Sequence, residues 1–208
     1  LPLITHPRER LDQIELRPFR EGISSGVDAV MTAHIALPSL EPAASTPATF
    51  SSRIVRQLLR EELGFDGLIL TDSLRMRAVT ELATPSDAGL RAVQAGHDLL
   101  LHSPDEAAAF ESIREAVLAG TIDESQLDES VNRILSAKAR LELHRSRAVS
   151  LDTLPLIVGT RQSFAVAEKI SQESLTLIKD DEQDVPLRTP RSGDLLYLSV
   201  VDRPSGWG

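Results

Sequence analysis

Residues 59–76 read LREELGFDGLILTDSLRM, and the order of features along them decides the fold class. An amphipathic helix runs out at Gly64, and a turn follows. Gly67 to Thr71 (GLILT) then forms a short apolar run that stops at a polar pair, Asp72-Ser73. A continuous apolar run bounded by turn signals suits a parallel strand covered on both faces, whereas a half-exposed strand would alternate. Two further runs of this kind lie at Ala29 to Ile35 (AVMTAHI) and Asp98 to Leu101 (DLLL). Strand-like runs alternating with helical patterns are the mark of parallel βα units, so the sequence predicts an α/β fold.

Working outward, a helix with Leu11, Ile14, Leu16 and Phe19 on its apolar side precedes the first run, and Gly22 and Gly26 close it. A Pro-rich loop from Pro38 to Pro47 leads to Thr49 or Ser51 as N-cap of a helix over Ser52 to Leu63, with Ile54, Val55, Leu58 and Leu59 inward. Further helices are predicted near Ser86 to Ala95, Pro104 to Ala119 and Asp123 to Leu143. Periodicity is lost from about His144 to Gly159. A helix over Gln162 to Ile170 then runs into Ser174 to Ile178, and Asp194 to Val201 (DLLYLSVV) reads as a buried strand. The domain boundary is placed within 145–160.

The chain has 208 residues, 22 Lys plus Arg and 31 Asp plus Glu, for a net charge of −9. An acidic chain has no basic excess to spend on phosphates, which argues against a nucleic-acid partner. Hydrophobic residues make up 41%, enough for a core built on Leu, Val, Ile and Ala, since Phe, Trp and Tyr number only 5, 1 and 1. No cysteine is present, which removes disulfides and thiolate metal sites. No apolar run reaches the roughly 18 residues of a membrane span. Zincin, P-loop and dinucleotide motifs are absent, and Asp181, Glu182 and Asp184 lack the spacing of a calcium loop, so neither metal nor cofactor is expected. The chain opens on Leu rather than Met and stops soon after a strand-like run, so we expect an internal fragment.

Functional groups of parallel α/β proteins gather at the carboxyl ends of the strands. His34 follows the first run, Thr71, Asp72 and Ser73 end the second, and His102 and Ser103 follow the third. Asp72 stands out, because an acid at the mouth of a buried strand is costly unless hydrogen-bonded or used. Its plain structural role would be to cap the turn that follows. His34 alone reads equally as a satisfied strand-end histidine. His97 and His102 read as structural or solvent-facing, and Ser73 and Thr71 as supports of the Asp72 turn.

Gly26 to Ile35 (GVDAVMTAHI), Pro47 to Ser51 (PATFS), residues 59–76 and Ala95 to Leu101 (AGHDLLL) together resemble glycoside hydrolase family 3, most nearly its bacterial β-N-acetylglucosaminidase branch. The opening Leu1-Pro2, with Arg8 to Asp12 (RERLD) and Leu16 to Phe19 (LRPF), fits the same pattern. The resemblance implies that 1–144 are the C-terminal part, about strands 6 to 8, of a (β/α)8 TIM barrel. Residues 145–160 would be a linker and 161–208 the beginning of an α/β sandwich domain, on Glu173 to Lys179 (ESLTLIK), Val185 to Leu187 and Leu195 to Val201. It implies a retaining glycosidase acting on terminal β-linked N-acetylglucosamine, with Asp72 as the nucleophile and a carbohydrate as the partner. Ser73 stands where many relatives carry a second acid. The branch's proton donor, an Asp-His pair in a motif resembling K-H-F-P-G-H-G-D, is not in this sequence, so the chain alone is expected to be inactive. His34 could contact substrate or orient the nucleophile loop.

Within the family, β-glucosidase, β-xylosidase and a phosphorolytic relative remain alternatives, as does a non-catalytic scaffold. Residues 68–76 also resemble the phosphoacceptor strand of a response-regulator receiver. That reading needs an earlier acidic pair, a Pro after Met76 and a later Lys, where this chain has His34, Arg77 and His102-Ser103. Localisation and oligomeric state are not decided by these residues.

Overall fold

The computed structural model describes residues 1–43, 46–179 and 181. The chain divides into two compact units, Leu1–Arg147 and Ala148–Gly208. The first begins with α1 (Arg8–Arg10), a π-wound turn Leu11–Glu15 and α2 (Arg17–Ser24). Strand β1 (Ala29–Met31), a 3-10 turn Ala48–Phe50, a π-wound helix Arg53–Glu62 and strand β2 (Leu68–Leu70) follow. Helices α3 (Arg77–Thr80), α4 (Pro85–Ala95), α5 (Glu106–Leu118) and α6 (Glu124–Arg140) complete it. In the second unit lie α7 (Leu154–Ile157) and α8 (Arg161–Glu173).

The helices start where short polar side chains can hold the first free N–H groups. Thr84, Asp105, Asp123 and Thr160 each accept a backbone N–H from the first turn of α4, α5, α6 and α8. Gly64 and Gly96, at φ +66° and +113°, end the π-wound helix and α4 in the left-handed conformation that favours glycine.

The sheet corrects the predicted architecture. Among the described residues it is an open pair, β1 and β2, parallel in the register Ala29↔Leu68, Val30↔Ile69 and Met31↔Leu70. The third run contributes only an isolated parallel bridge, Leu70↔Leu99, and a second bridge joins Leu3 to Ala36. This small open sheet among helices is not a portion of a (β/α)8 TIM barrel, and that expectation is withdrawn. The physical reason lies in side chains that intercept the ladder. The Ile69 N–H goes to the Asp98 carboxylate at 2.8 Å, and the Leu101 N–H goes to Thr71 Oγ1 at 2.9 Å. Pairing beside β2 therefore shrinks to one bridge. Coverage on both faces fails as well: Ile69 packs with Val55, Leu59, Phe65 and Ala95, while Met31 (48%), Leu99 (38%) and Leu101 (37%) are exposed. Ser174 to Ile178 forms neither helix nor strand, and Leu175 and Ile178 are exposed. The expected strand Leu195 to Val201 and the Val185 to Leu187 segment lie outside the described residues.

His97 ties α4 to the end of β1. Its Nδ1–H donates to the Ala92 carbonyl at 3.0 Å, and Nε2 accepts from Thr32 Oγ1 at 2.9 Å. Both bonds suit the neutral ring, and burial pushes its pKa down to about 4. A folded pKa below the unfolded value means that the unfolded chain binds the extra proton first. His97 therefore contributes stability in full above about pH 6.5, and loses it as pH falls toward 4, by roughly 3 kcal/mol. Urea midpoints measured across that window should fall less steeply in His97→Gln; an unchanged slope would refute this account.

Candidate active site

β1 and β2 are adjacent and parallel, so the residues just beyond their carboxyl ends share one edge of the sheet. There the structure brings His34 and the Asp72-Ser73 pair together. Asp72 is half-buried. Its Oδ1 accepts the N–H of the next residue, Ser73, at 2.6 Å, and Oδ2 has no hydrogen-bond partner among the described residues. It caps no helix: α3 starts only at Arg77, with Met76 in the N-cap position and no side-chain cap bond.

The turn carrying Asp72 is fixed from both neighbours. On the β1 side, His34 is buried, its Nε2 lies 2.9 Å from the Ser73 carbonyl and its Nδ1 lies 2.7 Å from Thr49 Oγ1. A carbonyl can only accept, so Nε2 carries the proton. On the other side, fully buried Thr71 takes the Leu101 N–H on its hydroxyl, its own N–H goes to the Leu99 carbonyl, and the Leu74 N–H goes to the Leu101 carbonyl at 2.9 Å. Leu74, wholly buried, roots the turn in a cluster with Phe50, Val79, Ala88 and Ala92. The result is a carboxylate on a backbone tied down from both sides, with one oxygen unpartnered among the described residues.

His102 is exposed and holds φ +51°, in the left-handed region, directly after Leu101. Met76 is also exposed. A cleft of about 560 Å³ lined by Val27, Asp28, Phe65, Gly67 and Arg140 lies away from Asp72, at the opposite, amino end of the strands. No group of three or more His, Asp or Glu among the described residues is placed to hold a metal ion.

Sequence reasoning missed two residues. Thr49, read as a candidate N-cap, instead reaches His34, and Asp98, read as the start of a strand, is a buried anchor. Thr49 lies 15 residues from His34, and nothing local marks the pair. Asp98 did carry a signal, since an acid beside an apolar run must find buried partners.

Residues 1–137 match the family described as the glycosyl hydrolase family 3 N terminal domain. A β-N-acetylglucosaminidase/β-glucosidase of Cellulomonas fimi is 31% identical over 198 residues, covering 91% of this chain and 35% of the relative. Among solved structures, a family 3 β-N-acetylglucosaminidase from Paenibacillus sp. str. FPU-7 is 41% identical, with a TM-score of 0.76 over 87% of this chain and 35% of its own. A β-glucoside phosphorylase is 26% identical, with a TM-score of 0.78 over 89% and 35%. The chain thus spans about a third of the length of these relatives.

Proposed function

The chain belongs to glycosyl hydrolase family 3, and from that membership we propose that the protein is a retaining glycosidase that removes terminal β-linked N-acetylglucosamine, with Asp72 as its nucleophile. The observation that carries the proposal is the Asp72 carboxylate itself. It stands at the strand's carboxyl end with Oδ2 open, on a turn held from both sides by buried groups. Rigid placement is what an attacking group needs, because the reacting atoms must sit about 3 Å apart and in line.

In the first half-reaction, a carboxylate oxygen of Asp72 forms a bond to the anomeric carbon as the bond to the leaving oxygen breaks. That oxygen takes a proton from a general acid. In the second, water attacks the same carbon, gives up a proton, and the ester bond to Asp72 breaks, so configuration is retained. The sequence has no K-H-F-P-G-H-G-D motif, and the proton donor is assigned here to no residue. The N-acetyl preference rests on the likeness to two enzymes named for that activity. His34 is given a positioning role rather than contact with the sugar, because both ring nitrogens are occupied by protein.

The test uses the full-length protein and a 5-fluoro N-acetylglucosaminyl fluoride. The trapped sugar should be found by peptide mass mapping on the peptide containing Asp72. A label on any other residue overturns the assignment. Release of sugar 1-phosphate, seen only when inorganic phosphate is supplied, would move the reading to phosphorolysis, in line with the β-glucoside phosphorylase likeness.

A further inference from the structure

We infer that Thr49 is a positioning residue for the catalytic carboxylate, acting through His34; this rests on the reading of Asp72 as nucleophile. Thr49 is wholly buried in the 3-10 turn Ala48–Phe50. That turn is fixed to the chain beyond β1 by the Ala48 N–H donating to the Ile35 carbonyl at 2.8 Å. Its next residue, Phe50, packs in one cluster with Leu74 of the Asp72 turn, and the Arg91 guanidinium lies over the Phe50 ring at 4.4 Å. The same short turn therefore grips the Asp72 loop twice. One grip is apolar, through Phe50 and Leu74. The other is polar, through Thr49, His34 and the Ser73 carbonyl, at 2.7 and 2.9 Å.

The polar grip depends on where one proton sits. A neutral imidazole carries a single N–H, and the two tautomers are close in energy in water. With the proton on Nδ1, the Nε2 lone pair would face the lone pairs of the Ser73 carbonyl at 2.9 Å, and attraction would become repulsion. The Ser73 carbonyl can only accept, which puts the proton on Nε2, and the Thr49 hydroxyl supports that state by donating to the bare Nδ1. It has one other acceptor in reach, the Ala33 carbonyl at 3.3 Å, a longer and weaker contact. Thr49 thus reinforces the tautomer and the ring orientation that hold Ser73, and Ser73 is bonded through its own N–H to Asp72 Oδ1. Three hydrogen bonds separate the wholly buried hydroxyl from the Asp72 carboxylate, so it acts through His34 and Ser73 rather than on substrate.

The experiment pairs a ring-nitrogen measurement with kinetics. In long-range 1H–15N spectra of histidine-labelled full-length protein, His34 should show the Nε2–H pattern in the wild type and in Thr49→Ser. In Thr49→Val, which keeps the shape and removes the hydroxyl, it should shift to the Nδ1–H or averaged pattern. With p-nitrophenyl N-acetyl-β-glucosaminide, Thr49→Val should lower kcat about 10- to 100-fold with KM changed less than about threefold, and Thr49→Ser should stay near wild type. Glutamine has no tautomer to select, so in a His34→Gln background the Thr49→Val loss should shrink below about threefold. Retention of the Nε2–H pattern in Thr49→Val, or a loss undiminished in the His34→Gln background, overturns the inference. If instead the fluoro sugar labels a residue other than Asp72 while the ring spectra behave as stated, the nucleophile assignment is the part that fails.

Discussion

Asp72→Ala in the full-length protein is expected to lower turnover of an aryl N-acetyl-β-glucosaminide by about ten-thousandfold, equivalent to about 5.5 kcal/mol of transition-state stabilisation. The effect should be large because the adjacent side chain, Ser73, offers only a neutral hydroxyl, a weak nucleophile without an activating base, which accepts the Arg75 N–H at 3.4 Å. Stability should hardly move. The carboxylate is half-buried, caps no helix, and makes one hydrogen bond to its neighbour, so its loss should cost under about 1 kcal/mol. Truncation also leaves space where the attacking oxygen stood. Added azide should enter it and restore turnover, and the product should be the α-glycosyl azide, because one displacement inverts the centre that two displacements retain. A fall of less than tenfold, or rescue yielding the β product, would show that Asp72 is not the attacking group.

How far the sequence anticipated this arrangement depends on whether each cause was local. The helices were legible because their starts and stops are written in neighbouring residues: Asp105 and Asp123 as caps, Gly64 and Gly96 as left-handed ends. Asp72 was visible for a related reason, being the polar residue that interrupts GLIL at its carboxyl end. The strands were over-read. AVMTAHI offers seven residues of suitable composition, but β1 pairs only through Ala29, Val30 and Met31, since pairing needs a partner and β2 supplies three residues. DLLL fared worse because Asp98 and Thr71 put side-chain oxygens where ladder carbonyls would stand, a substitution that composition does not reveal. The part played by His34 was open for the same reason. Its partners Thr49 and Ser73 are 15 and 39 residues away, and only the fold joins them.

The largest expected effect on stability falls at Asp98, and Asp98→Ala should cost about 3–5 kcal/mol. Its side chain is fully buried and all of its acceptor sites are engaged. Oδ2 takes Arg60 Nη2 at 2.5 Å and the Ile69 N–H at 2.8 Å, and Oδ1 takes Ser130 Oγ at 2.8 Å and Arg133 Nη1 at 3.2 Å. One carboxylate thereby joins the π-wound helix, β2 and α6. Arg60 is bound on its other side to the Phe65 and Gly67 carbonyls, and burial lowers its pKa even though Asp98 works in the opposite direction. Removing Asp98 leaves that part-buried guanidinium without its counter-ion and the Ile69 N–H without its acceptor, which is the costly case; stripping a partner from an exposed pair is not. The Arg140 and Asp28 pair is a fair comparison at 2.7 Å, with side chains 64% and 75% exposed, and Arg140→Ala should cost under about 1 kcal/mol. Asn at position 98 keeps the shape but turns an N–H2 toward a donor, so it should fall nearer Ala than wild type. Against a total of about 5–15 kcal/mol for a domain, the Asp98 loss should move the urea midpoint far enough to measure with one variant. Equal midpoints for Asp98→Ala and Arg140→Ala would mean that the buried network does not hold the sheet to its helices.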